Sequence, residues 1–305
     1  MIQPMDDTSF EWLFYCYTKR CLPALSVNSR RGYLSNIRLH LLPFLQNIKP
    51  DDLTADDLDA LQLHLLATLA PRSVRYCFMV LWAVLRWGRS HGLYSGHLYA
   101  DYKLPQALSF CPGVLDDDQM RILFSAFSGL RPVDICVRLA AAYGLRRGEI
   151  LGLRTVDFDF LAPAFYVRRS LLWRGGQPVW SDGKTASASR GILLSDDDAD
   201  RLRCFADRAF HPLGLFIRRD DGSTYTQSML RTDFIRGLDA ARLPPVRFHD
   251  LRHSFASFMM RHGVNPKVVS SAMGHSSVSI TLGLYSWADV SSQSALLDAK
   301  RAYLS

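Results

Sequence analysis

Phe248-His249-Asp250-Leu251-Arg252-His253-Ser254-Phe255-Ala256-Ser257 is the stretch from which the rest of the chain is best read. On a helix, His249 and Arg252 stand at i and i+3 and share a face, while Leu251, Phe255 and Phe258 turn toward a core. His249 and His253 stand at i and i+4, with Asp250 where a zinc protease would carry Glu, so a metal has to be considered. Against it, Arg252 puts a fixed cation beside the ion, and no third ligand is in view downstream. We therefore expect no metal.

Working outward, Gly274 should cap a helix over Pro266–Ala272 and leave His275 at the start of the next helix; Tyr285 comes ten residues later. Each alone is unremarkable, a capping histidine and a packing tyrosine. Upstream, Tyr143-Gly144-Leu145-Arg146-Arg147-Gly148-Glu149 ends one helix at a left-handed glycine and starts another at once. Arg146 falls at that junction, where it can meet an anion or simply pair with Glu149. Lys184, in Gly183-Lys184-Thr185, lies near a hairpin tip between β-like runs. The triplet is no phosphate-binding loop, because Pro178 occupies the glycine position and no helix comes after it.

The frame around these residues is mostly helical. Residues 1–90 read as four short helices, about Thr8–Tyr17, Asn28–Leu45, Thr54–Leu69 and Ser73–Ser90, with Tyr33, Ile37 and Leu41 on one stripe. Thr54 reads as an N-cap with Asp57 three residues on, and Pro71 as a helix start. Residues 91–114, with two prolines and no clean period, read as a linker. Residues 115–305 read as helices around one small antiparallel sheet, with β-like runs at Thr155–Phe160, Phe165–Leu172, Val179–Trp180 and Gly191–Leu194. The expected class is mainly α (α+β), in two domains.

Composition permits this and excludes much else. The 305 residues leave room for about two domains of ~150 residues. An apolar fraction of 48% argues against disorder and low-complexity scaffolds. The six cysteines form no C-x-x-C pair, and no secretory or membrane-spanning segment is visible, so we expect a reduced, cytoplasmic protein without a membrane partner. The net charge is +7: 11 basic and 9 acidic side chains up to residue 110, 25 and 20 beyond it. That permits a polyanionic partner without requiring one. Lys19 to Arg38 is nevertheless basic and Asp51 to Asp59 acidic, so the first domain is polarised.

Taken as a set, the polar residues suit a metal-free attack on a phosphodiester. Two forked guanidiniums can hold non-bridging oxygens as negative charge builds. A tyrosine can form a covalent phosphoester that conserves the bond for rejoining, and lysine and histidine can move the protons.

In order and spacing, Tyr143-Gly144-Leu145-Arg146-Arg147-Gly148-Glu149, the hairpin Lys184-Thr185, His249-Asp250-Leu251-Arg252-His253, Met273-Gly274-His275 and Tyr285 resemble the signature of the tyrosine recombinases, the phage integrase family. Residues 1–90, with Asn28-Ser29, Tyr33 and Pro71-Arg72-Ser73 leading into Arg75, resemble that family's helical core-binding (SAM-like) domain. Tyr143, Met273 and a missing Asn-Pro at the linker depart from its pattern. The resemblance implies that Arg146 and Arg252 clamp the scissile phosphate and that Lys184 is the general acid. It makes His249 the base-like hydrogen-bonding residue, sets His275 on a non-bridging oxygen and makes Tyr285 the nucleophile, with Glu149 in support. Arg30, Arg31, Arg72 and Arg75 are the expected DNA contacts of the first domain. No cofactor is implied. The implied partners are double-stranded DNA, three further copies of the chain in a tetramer, and an accessory DNA-bending or directionality protein; the implied place is the nucleoid. We expect the compact kind, without a separate arm-binding domain. A type IB topoisomerase and a non-catalytic DNA-binding relative are the rival readings.

Overall fold

The computed structural model describes residues 8–97, 99, 101–106, 113–174, 177–182 and 189–274. The chain divides into two compact units, Met1–Phe110 and Cys111–Ser305.

In the first unit Ser9 caps α1 (Phe10–Arg20) by accepting from the Trp12 N–H at 3.1 Å. Ser26 caps α2 (Val27–Asn36). This helix widens into a π-turn over Ile37–Leu41 before the short α3 (Leu42–Leu45), where the Leu42 N–H reaches back to the Ile37 carbonyl. Pro43 supplies the reason: its ring would collide with the carbonyl four residues back, and widening the turn just ahead of it relieves the clash. Thr54 and Asp57 form a full capping box at the start of α4 (Ala55–Leu66). Pro71 opens α5 (Pro71–Ser90). Leu58, Leu61 and Leu65 of α4 meet Val74, Phe78, Leu81 and Leu85 of α5 in one core with Phe10 and Leu13.

The stretch expected as linker behaves otherwise up to Gln106. Tyr94 is buried in the first unit's core, and Tyr99, Tyr102 and Leu104 pack against it. Asp51 accepts from the Ser95 and Gly96 N–H groups at 2.8 and 3.1 Å, and the Tyr102 hydroxyl donates to Asp59 at 2.7 Å. Three tyrosines with apolar bodies and polar tips fasten a segment that has no period of its own.

The second unit is built round α7 (Pro132–Tyr143), whose Val133, Ile135, Cys136, Val137 and Leu139 are all buried. Before it comes α6 (Asp117–Ala126), capped by Asp116; after it comes α8 (Arg147–Gly152). Five strands come next among the described residues: β1 (Phe158–Asp159), β2 (Ala164–Val167), β3 (Arg169–Arg174), β4 (Gln177–Asp182) and β5 (Arg190–Leu193). They form two antiparallel sheets rather than the single one expected, β1-β2-β5 and the hairpin β3-β4. The run read as Phe165–Leu172 changes partner at Arg168: Val167 faces Arg190 of β5, while Arg169 faces Asp182 of β4. Alternation continues across the break, so period two carries no trace of it.

Beyond the strands lie α9 (Asp196–Ala206), α10 (Gln227–Ala240), α11 (Asp250–Arg261) and α12 (Pro266–Met273). Residues 207–226 hold isolated bridges such as Arg218–Thr224 in place of regular elements. Phe258 is another departure: it is half-buried and stacks on His262, with ring centroids 4.1 Å apart. Among the described residues, no helix is long and apolar enough to cross a membrane.

Candidate active site

The chain positions Arg146 by ending α7 at Gly144, in the left-handed region (φ 66°), and restarting two residues later. A Cβ at Gly144 would come within 2.5 Å of the Phe255 ring, so the turn needs glycine for space as well as for φ. Arg146 caps α8. Its N–H donates to Glu149 Oε2 at 2.9 Å and its Nη1 to Oε1 at 2.7 Å.

Two helices then deliver the remaining groups. Gly274 (φ 64°) ends α12 and turns its last carbonyls toward the arginines. Arg146 Nη2 donates to the Gly274 carbonyl at 3.0 Å, and its Nη1 to that of Met273 at 3.3 Å. Arg252, on α11, donates from Nη2 to the same Met273 carbonyl at 2.7 Å and from Nη1 to that of Gly144 at 2.5 Å. Two guanidiniums remote in sequence thus converge on one oxygen. Arg252 is only 1% exposed, whereas the Arg146 side chain is 38% exposed and open to an incoming anion.

A third arginine, not foreseen in the sequence, completes the cluster. Arg190 opens β5 and donates from Nη2 to Glu149 Oε2 at 2.9 Å and from Nε to the Ala272 carbonyl at 2.7 Å. Cations at the C-terminal end of α12 are also favoured by the helix dipole. Burial works against the Glu149 carboxylate, but hydrogen bonds and charge from Arg190, then Arg146, outweigh it and hold its pKa below the usual range. Locally nothing sets Arg190 apart from a surface arginine at a strand start; only the tertiary approach of α12 and Glu149 does.

His249 immediately precedes α11. Burial of part of its ring, the neighbouring His253 and the cations Arg252 and Arg146 push its pKa down to about 4. The residue as a whole keeps an exposed face, and the protein atoms crowding the rest of the ring disfavour its charged form. The imidazole is therefore neutral near pH 7 and able to accept a proton. Its ring stands perpendicular to that of His253, with centroids 5.2 Å apart. Asp250, the acidic member of the zinc reading, accepts from the Arg247 backbone N–H, Nε and Nη2 at 3.0, 3.1 and 2.7 Å.

Lys184, His275 and Tyr285 lie outside the described residues, so geometry brings together Arg146, His249, Arg252 and Glu149 of the expected set. In the first unit Arg31, Arg72 and Arg75 are exposed, with Arg75 Nη1 donating to the Pro105 carbonyl at 3.3 Å. Arg30 is committed to the fold: its Nε and Nη2 donate to the Leu22 and Pro23 carbonyls at 3.0 and 2.9 Å.

Comparison with known proteins shows the family. Residues 114–291 match the sequence profile of the phage integrase family, and residues 9–66 that of the phage integrase N-terminal SAM-like domain. The chain belongs to the phage integrase family, the site-specific tyrosine recombinases. It is similar to tyrosine recombinase XerC of Mycobacterium tuberculosis, 29% identical over 278 residues, which cover 84% of this chain and 87% of that one. Similarity to the ICEBs1 integrase of Bacillus subtilis, at 26% identity, covers 53% of this chain and 48% of that protein. A XerC-like recombinase of Caldanaerobacter subterraneus, 26% identical, is likewise matched over about half its length, 49%. The fold is that of the Tn1549 transposon integrase in complex with a circular intermediate DNA (TM-score 0.83, 19% identity, 96% of this chain and 99% of that one). It is also that of the lambda integrase in a tetramer bound to a Holliday junction (TM-score 0.66, 16% identity, 88% and 77% covered).

Proposed function

We propose that this recombinase cleaves and rejoins duplex DNA through a 3′-phosphotyrosyl intermediate. The observation that carries the reading is the convergence of Arg146 and Arg252 on the Met273 carbonyl, beside a neutral His249. The Tyr285 hydroxyl attacks the phosphorus; the P–Oη bond forms as the bond to the 5′ oxygen breaks. Lys184 protonates that oxygen, and His249 assists removal of the phenolic proton. Arg146, Arg252 and His275 hold the non-bridging oxygens, and Glu149 fixes the Arg146 fork. Rejoining runs the same steps backward with a new 5′ hydroxyl, so no cofactor is consumed.

The first unit, which runs on through Gln106, forms the core-binding part, placing Arg31, Arg72 and Arg75 on the phosphate backbone, and residues 115–305 form the catalytic part. Four protomers act on synapsed DNA, together with an accessory DNA-bending or directionality protein, on nucleoid DNA in the cytoplasm. The test uses a nicked suicide duplex drawn from the DNA flanking the gene. Tyr285→Phe should abolish the covalent protein–DNA adduct while leaving duplex binding intact; an undiminished adduct refutes the nucleophile assignment. Relaxation of supercoils irrespective of sequence would instead favour the topoisomerase reading.

A further inference from the structure

Arg147 comes directly after Arg146, yet its side chain serves a different place. It lines a cavity of ≈640 Å³ together with Gln227, Arg231, Phe234, Val246 and His249. With the Gln227 amide oxygen turned toward it, Arg147 donates from Nη2 and Nη1 at 2.8 and 3.0 Å. Nearby arginines meet carboxylates: Arg146 and Arg190 meet Glu149, and Arg247 meets Asp250. Among the described residues, Arg147 is instead held by a neutral amide. The residue keeps an exposed face, while the protein packed round its guanidinium lowers its pKa from the ordinary arginine value. A forked guanidinium partly shielded from water and held by an amide gains from an incoming anion, which the open face admits. Asp239, the carboxylate on the cavity wall, lies at the far end of α10, about 18 Å along the helix from Gln227. Gln227 itself opens that helix, whose N-terminal partial charge also favours an anion.

We infer that Arg147 and Gln227 form a second anion subsite beside the arginine clamp, one that takes a DNA phosphate neighbouring the scissile one. This rests on the DNA-cleaving reading above. His249 on the cavity wall ties the subsite to the reacting centre, and a forked guanidinium already oriented by an amide suits bidentate phosphate contact. Its role is to fix the register of the strand, not to take part in bond exchange.

The test uses the full chain on nicked suicide duplexes from the DNA flanking the gene, with neutral methylphosphonates placed singly at the phosphates around the cut. Wild type should bind and form adduct, and should lose affinity roughly tenfold when one particular flanking phosphate is neutralised. Arg147→Ala should show that loss on unmodified DNA, no further loss at that position, and a salt slope shallower by about 1. Gln227→Glu guards against a folding artefact: it gives the guanidinium a carboxylate, so the fold should hold while DNA affinity falls as in Arg147→Ala. The subsite is overturned if both variants bind like wild type, or if both stay as sensitive as wild type at every flanking phosphate. Wild type that forms no adduct on any duplex would refute the cleavage reading itself, and the subsite with it.

Discussion

Arg252 keeps its charge beneath the surface, and the residues around it explain how. The Gly144 and Met273 carbonyls accept from it, and Glu149 lies 4.0 Å from its Nη1. Glu149 therefore serves three guanidiniums at once, which makes it the most heavily shared carboxylate of the cluster. The histidines give this site a pH signature. His249 and His253 here, and His211 beside Thr224 elsewhere in the second unit, all have lowered pKa values, so the unfolded chain takes up protons that the folded one refuses. Stability should hold above about pH 6.5, the free-histidine value, and decline as pH falls from there toward about 4. The depressed carboxylates Glu149 and Asp250 add their own loss only at lower pH. Urea denaturation at pH 7, 6, 5 and 4.5 should show this decline, and a His249→Gln variant should show less of it; identical profiles would mean that His249 is not held neutral by the fold.

Among the elements, the junction of α7 and α8 matters most. Gly144 ends one helix, hands its carbonyl to Arg252 and lets Arg146 cap the next. Gly144→Ala should destabilise the second unit by at least ~1–2 kcal/mol through the left-handed conformation alone, before any contact with Phe255 is counted. It should also reduce adduct formation, since the Arg252 anchor moves with the turn. Denaturation midpoints and suicide-substrate yields report the two effects separately; an unchanged midpoint would mean that the turn tolerates a side chain. A capping pattern made this junction visible in advance, as it did the Thr54–Asp57 box. The change of sheet at Arg168 was not visible, because both ladders share one alternation. The π-turn was missed too: Pro43 lay inside a helical stripe that stays apolar through the distortion.

For the whole molecule, the point of interest is where the first unit ends. Tyr94, Tyr99 and Tyr102 bring the chain up to Gln106 into that unit's core; Tyr99 donates to the Leu53 carbonyl, Tyr102 to Asp59, and Asp51 accepts from the Ser95 and Gly96 N–H groups. Removing a buried aromatic typically costs ~3–5 kcal/mol. A fragment spanning residues 8–106 should therefore melt cooperatively, and one spanning 8–90 should melt at lower temperature or without a clear transition. Equal melting of the two would show that the tyrosine strap adds nothing to the unit.

The sequence by itself determined the family, the helical class and the identities of the candidate catalytic residues. Those come from local spacing and chemistry: a glycine that ends a helix, a histidine three residues before an arginine, a tyrosine at the right remove. Tertiary structure alone decided that Arg190 joins Arg146 and Arg252 on Glu149, that Arg147 is matched with Gln227, and that the stretch after α5 belongs to the first unit. Each of these joins groups far apart along the chain through hydrogen bonds to carboxylate, amide or main-chain oxygens. Such a bond leaves no periodic mark on either segment, because its partner is chosen by how the helices pack and not by its neighbours in sequence.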